Sequence, residues 1–179
     1  LAQLRAGLCD LAVVTAGASF DEGRFAVEKL PAQRLGFVVA PGHPLVRAGR
    51  VSLPQVLRWP LVTTAHPAPR LQTALAEARG ARGARPDLPC PAVLVESTAA
   101  WLALVASGDY VALVNPATAG PALARGEVTM LPFSVPWMTS PPAIVHLAAR
   151  SPTPAMLDLA QALRRAHVAA LAVEEPLRG

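Results

Sequence analysis

The chain has 179 residues, 53% of them hydrophobic and 16% charged, a composition that excludes disorder and provides enough apolar material for one good core or two small lobes. No apolar run reaches the ~18 residues needed to span a bilayer, because Gly, Pro or charge interrupts each one, as at Gly108-Asp109. The net charge of +4 comes from an arginine-dominated set of cations that is scattered along the chain, apart from Arg79, Arg82 and Arg85, whereas a nucleic-acid surface would cluster them.

Leu1, Ala2 and Leu4 read as the last turns of a helix that Gly7 stops. Leu8 to Val14 is a short apolar run suited to a buried strand, with Cys9 as a small buried residue near its head. Leu1 to Val14 carries Arg5 and Asp10 and has no continuous apolar region, so it does not read as a signal peptide. Arg24 to Leu30 alternates like a strand, and Leu35 to Ala40 is a second apolar strand stopped by Pro41-Gly42. Ser52 can cap a short helix over Leu53 to Arg58, with Pro54 in its first turn and Pro60 ending it. Leu61 to Thr64 is the next strand, Arg70 to Arg79 a helix, and Val93 to Glu96 another strand.

The stretch between that helix and strand, GARGARPDLP, is rich in Gly and Pro and reads as a solvated loop; a phosphate-binding role for its arginines is the weaker alternative. Ser97 caps a helix through Ser107 with Ala100, Trp101, Leu104 and Val105 on one face, and Gly108 ends it. Tyr110 to Val114, Val128 to Phe133 and Ile144 to Ala148 are strands. Thr153 caps the last helix, whose inner stripe is Met156, Leu159, Ala160, Leu163 and His167. Alternating strands and helices predict an α/β fold with mostly parallel sheets. Cys9 and Cys90 stand too far apart and too alone to form a zinc site or a disulfide framework, which suits a reducing cytoplasmic setting. No P-loop, GxGxxG, GxSxG or HExxH occurs, so no cofactor is implied and no enzyme is predicted.

A series of short blocks appears in fixed order: LRAGLCDLAVV, GHPL, VSLPQVLRWPLVT, VESTAAWLALVASGDYVALVNP and TPAMLDLAQALRRA. In that order they resemble the effector-binding domain of LysR-type transcriptional regulators, from Leu1 to about Val168. The resemblance implies two Rossmann-like lobes joined by two crossover strands, as in type 2 periplasmic binding proteins. It assigns residues 1–35 plus 127–143 to lobe I, and residues 36–126 plus 144–179 to lobe II. It also implies that a DNA-binding winged helix-turn-helix, a linker helix and the opening strands of the domain precede Leu1, so that the chain is an N-terminally truncated sensor. The partners expected are a small-molecule effector, best a carboxylate, and a second copy or copies in a homodimer or homotetramer. DNA would be met only through the absent head, and no membrane is expected. A solute-binding protein of a transporter with the same two-lobed fold is the alternative.

Ligands of open α/β sheets bind beyond the carboxyl ends of the strands. Three strand ends therefore supply candidates for effector binding. Thr15 follows the first strand and is either a ligand contact or a turn residue. Thr63, Thr64 and His66, leading to Arg70, follow the strand at Leu61, where hydroxyls and helix-start amides can hold a carboxylate. Asn115 ends the strand at Tyr110 and is either a contact or only a turn. Ser97 and Thr98 are expected to be caps, and His43 in GHPL a turn residue.

Overall fold

The computed structural model describes residues 1–15, 23–64, 67–135 and 137–174. In chain order, α1 (Ala2–Arg5) ends before Gly7, whose φ of 68° suits a residue without Cβ. Then come β1 (Ala12–Thr15), β2 (Phe25–Lys29), β3 (Gln33–Arg34) and β4 (Gly36–Val39). A 3-10 turn over Pro44–Arg47 precedes α2 (Leu53–Val56). The next elements are β5 (Leu61–Thr63), α3 (Pro69–Gly80), β6 (Val93–Leu94), α4 (Thr98–Ala106) and β7 (Val111–Val114). The chain continues through α5 (Pro116–Ala124), β8 (Thr129–Met130), β9 (Thr139–Ser140), β10 (Pro142–Leu147) and α6 (Pro154–Glu174).

The chain divides into two compact units, one of Leu1–Gln33 with Thr139–Gly179 and one of Arg34–Met138. The chain thus crosses between units at β3 and β9. The expected lobe boundaries need correction beyond that point. Residues 144–179, assigned to lobe II, belong with the N-terminal unit, and residues 127–138, assigned to lobe I, belong with the other. The reason is strand pairing. β10 lies between β1 and β2 and hydrogen-bonds to both, with Val13 opposite Ile144 and Ala26 opposite His146. β8 pairs with β4, placing Thr129 opposite Val39. Alternation of elements along a sequence does not say which sheet a returning strand joins.

The sheets are also mixed rather than mostly parallel. Parallel pairing occurs in β6-β5-β7, while the β1-β10-β2 ladders and those of β4 with β7 and β8 are antiparallel. The antiparallel partners are strands brought together from distant parts of the chain rather than joined by a βαβ crossover.

In the unit of Arg34–Met138, both faces of the five-stranded sheet are covered. Side chains alternate across a strand, so Phe37, Val39, Leu61, Val111 and Leu113 share one face and pack with Val56, Leu71 and Leu75 of α2 and α3. Val38, Val62, Ala112 and Val114 share the other and pack with Trp101, Val105, Ala119 and Ala122 of α4 and α5. Each fully buried large side chain contributes about 1.5–3 kcal/mol of transfer free energy, so these two layers dominate the unit's stability. Of the expected stripe on α4, Trp101 and Val105 are buried and Ala100 and Leu104 half-buried.

The other unit is leaner. Its apolar cluster is Leu4, Phe25, Ala143 and Val145, against one face of a three-stranded sheet. On the other face, Ala160 of α6 is buried and Met156 and Leu163 half-buried. Arg164 of α6 makes a two-pronged bond to Glu28 of β2 at 2.6 and 2.7 Å, and His167 bonds the Pro31 carbonyl at 2.8 Å. Leu159, read as part of the inner stripe, is half exposed, because Met156, Ala160, Leu163 and His167 alone follow the helical repeat onto the sheet. The first strand starts at Ala12 rather than Leu8. Leu8 is 78% exposed, Val13 on β1 is 52% exposed, and Cys9 is half-buried.

Candidate functional site

In the unit of Arg34–Met138 the three parallel strands β6, β5 and β7 run side by side, with Thr63 in register with Leu94 on one side and Leu113 on the other. Their carboxyl ends therefore form one edge. Each strand leads there into a helix: β5 into α3, β6 into α4 and β7 into α5. Three helix N-termini thus gather at one sheet edge, and none has an acidic residue in its first turn. The partial positive charge of those termini favours an anion there; the nearest carboxylate in sequence is Glu96, just before the cap of α4.

The caps differ in what they leave open. Ser97 Oγ accepts from the Ala100 amide at 3.4 Å, capping α4. Asn115 Oδ1 accepts from the Ala117 amide at 2.7 Å, capping α5, and Asn115 Nδ2 donates to the Arg34 carbonyl at 3.5 Å. α3 has no side-chain cap, since its N-cap is Ala68 and Pro69 occupies the first position. Instead Gln72 Nε2 reaches back to the Pro67 carbonyl at 2.7 Å.

Thr63 is the unusual residue of this edge. It is only 3% exposed, and its carbonyl is used in the sheet, accepting from the Val95 amide at 3.0 Å. Among the described residues its hydroxyl has no hydrogen-bond partner. By alternation it lies on the α3 side of the sheet, with Leu61. An orphaned hydroxyl in such a place costs about 1–3 kcal/mol unless something occupies its bonding position. The next residue, Thr64, is exposed at the end of the strand.

The candidates read from the sequence therefore fall into three groups. Thr63, Thr64 and Asn115 come together on the same edge, with Arg70 exposed in the first turn of α3 beside them. Asn115 is neither a bare turn residue nor a free contact: its side-chain oxygen is committed to a helix that the sequence reading missed. Thr15 is the last residue of β1, paired with Pro142, and so belongs to the other unit. His66 lies outside the described residues. Ser97 caps as expected, and Thr98 is the first residue of α4. Sequence reasoning counted on helix-start amides here; what it passed over is that no side chain caps them, signalled by the Ala-Pro pair at 68 and 69.

His43 sits at the far end of the same sheet from this edge, beside the amino ends of β5 and β7. Its Nδ1 accepts from the Leu45 amide at 3.2 Å, so it is the turn residue expected from GHPL. It is nonetheless 2% exposed, with its ring edge-on to Trp59 at 4.3 Å. Burial holds the imidazole below its ordinary pKa, partly offset by the Asp109 carboxylate. Among the described residues no cluster of His, Cys, Asp or Glu could hold a metal ion, and no helix is long and apolar enough to cross a membrane.

Two α/β units joined by two passages of the chain are the architecture of the type 2 periplasmic-binding-protein-like fold. The chain belongs to the LysR substrate binding domain family, whose sequence model matches residues 1–167. Among solved structures, it is similar to the regulatory domain of MetR, a LysR family regulator from N. meningitidis, at 20% identity and a TM-score of 0.69, covering 95% of this chain and 76% of that one. It is similar to the effector domain of the transcriptional regulator AmpR of Pseudomonas aeruginosa, at 21% identity and a TM-score of 0.64, covering 93% and 77%. An OxyR mutant from Corynebacterium glutamicum matches at 19% identity and a TM-score of 0.69, covering 98% of this chain but 53% of that longer one. At such identities the likeness is one of fold. No curated protein matches the sequence significantly.

Proposed function

We propose that this chain is the ligand-sensing part of a LysR-type regulator of transcription, and that it takes a small carboxylate effector at the carboxyl edge of β6, β5 and β7. The observation that carries this reading is the buried Thr63 hydroxyl, without a hydrogen-bond partner among the described residues and placed where three helices begin. A carboxylate there accepts from the Thr63 and Thr64 hydroxyls and from the uncapped amides of α3, and Arg70 supplies a cation at the rim. His66, after Thr64, is a further contact in this reading, Asn115 positions the start of α5, and Thr15 is a separate candidate contact within its own unit. The effector acts by its differential affinity for two states of the protein. In a cytoplasmic homodimer or homotetramer, that difference is passed to promoter contacts made by a separate winged helix-turn-helix.

The test begins with native mass spectrometry of the purified chain and a thermal-shift panel of small mono- and dicarboxylates. The carboxylate giving the largest shift is then titrated calorimetrically into the wild type, Thr63→Val and Thr15→Val. Valine keeps the shape of threonine and removes the hydroxyl. We expect Thr63→Val to lower affinity about ten-fold, the loss of one hydrogen bond to a charged ligand. Unchanged affinity in Thr63→Val, with the fold intact by circular dichroism, would remove the β5 edge as the site. Thr15→Val is assessed in the same way for the other unit.

A further inference from the structure

Arg5, Arg24 and Arg150 come from three separate places in the sequence and line one groove of about 610 Å³, together with Gly23, Leu147 and Ala149. We propose that this groove is a second ligand site, specific for a small, multiply charged phosphate anion such as a polyphosphate chain.

Its position is set by the ladder of β1, β10 and β2. β10 runs antiparallel to both neighbours, so its carboxyl end at Leu147 lies at the amino end of β2, with Leu147 opposite Phe25. The same register puts Ala12 opposite Val145 and Thr15 opposite Pro142. The groove is therefore at the opposite end of this sheet from Thr15, and its arginines are separate from every residue considered above for the effector.

Two of the three guanidinium groups rest against neighbours, and all three arginines are exposed. Arg5 lies over the ring of Phe25, 5.5 Å from its centroid, a cation–π contact with a residue that is 2% exposed. Arg150 lies against Gly7, where its Nη2 would stand 3.4 Å from a Cβ if Gly7 had one. Among the described residues its carboxylate neighbour is Asp10, to which Nη1 donates at 3.4 Å, a long bond for a charged pair, and both side chains are more than half exposed. Arg24 has no side-chain partner among the described residues, and its backbone is fixed because its carbonyl accepts from the Ala148 amide at 2.9 Å.

Three forked cations around one groove match the several oxygens of a phosphate chain better than one carboxylate, since each guanidinium can bond two oxygens at once. Leu147 and Ala149 offer no exposed aromatic surface for a base to stack on, so the site reads phosphate rather than nucleobase. The contrast with the sequence-local trio Arg79, Arg82 and Arg85 supports the assignment. Arg85 is bonded to Asp87 at 2.6 Å, and Arg79 donates to the Pro86 carbonyl. Arg79 and Arg85 hold a loop together, whereas among the described residues the groove's side-chain charges meet only the distant Asp10 carboxylate.

The experiment is calorimetric titration of inorganic tripolyphosphate into the 179-residue chain, with sulfate, citrate and a short DNA duplex as comparisons at matched ionic strength. We expect saturable one-to-one binding of tripolyphosphate, at least about five-fold weaker in R24Q and in R150Q. Binding unchanged in R82Q, and several-fold tighter in D10N, which removes the competing carboxylate, completes the expected pattern. All four variants sit at exposed side chains, and coincident thermal melts confirm that they fold. The proposal is overturned if tripolyphosphate shows no saturable binding or if R82Q weakens it as much as R24Q. Citrate binding as tightly as tripolyphosphate, or the duplex binding more tightly with the same loss in R24Q, overturns it equally.

Discussion

A hydroxyl buried without a partner makes opposite demands on stability and on binding. Among the described residues Thr63 Oγ1 is such a group. In the ligand-free protein, Thr63→Val removes an unsatisfied polar atom and fills its place with a methyl group. We expect it to raise the free energy of unfolding by about 1 kcal/mol, read from urea denaturation, while effector affinity falls. A residue kept only for packing would not separate the two effects. His43 gives a second residue-scale prediction. Its pKa is depressed in the folded chain, so the folded state resists protonation while the unfolded state accepts it near pH 6.5. The stability owed to the neutral ring is therefore present above about pH 6.5 and lost as pH falls below it. Asp109 is the charged group that opposes the shift, and Trp59 contributes no charge. His43→Asn places an oxygen where Nδ1 accepts from Leu45 and cannot titrate in this range. Its melting temperature should vary less than that of the wild type between pH 7.5 and 5.5; parallel curves for the two proteins would refute this.

Among the elements, α5 shows best what a sequence conceals. Pro116, Gly120 and Pro121 all argue against a helix when read locally, and Asn115-Pro116 reads as a turn. In the fold, Pro116 is the first helical residue, where no amide is needed, and Ala119 and Ala122 are buried beneath the sheet. Tertiary burial overrides local propensity there. Elements with strong local signals, such as α4 between its Ser97 cap and Gly108 with φ 97°, stand where the pattern puts them. The Thr63–Thr64 strand end was legible because an apolar run ends there in hydroxyls; the clustering of its neighbours was not, because it depends on the register of β6, β5 and β7. The arginine groove was hidden for the same reason: its three cations are adjacent only after β10 is inserted between β1 and β2. The cap of α5 can be tested directly. Asn115→Ala leaves the Ala117 amide without its acceptor and should cost about 1 kcal/mol, measured by thermal denaturation. A change below a few tenths would mean that the helix does not depend on its cap.

At the scale of the molecule, the two units differ in how they are encoded. The unit of Arg34–Met138 is one uninterrupted stretch with its own five-stranded sheet and an apolar layer on each face. A polypeptide spanning residues 34–138 should therefore fold alone, showing a cooperative melt and native-like near-ultraviolet circular dichroism. A featureless spectrum or a non-cooperative melt would contradict this. The other unit is assembled from both ends of the sequence and has the smaller core, so limited proteolysis should cut it first; cleavage beginning inside residues 34–138 would reverse that order.

The position of β10 has a consequence for how the chain is made. On the ribosome, β1 and β2 emerge early, yet they are not neighbours in the finished sheet: the strand that joins them is β10, synthesised after all of residues 34–138. At translation speeds of about 5–20 residues per second, the first segment waits several seconds for its central strand. During that interval the unit of Arg34–Met138 can complete its sheet, while Phe25 lacks the Ala143 and Val145 that bury it. Vectorial synthesis thus sets an order of maturation, in which a transcript cut short before Pro142 yields one finished unit trailing an unpaired apolar leader that quality-control proteases can seize.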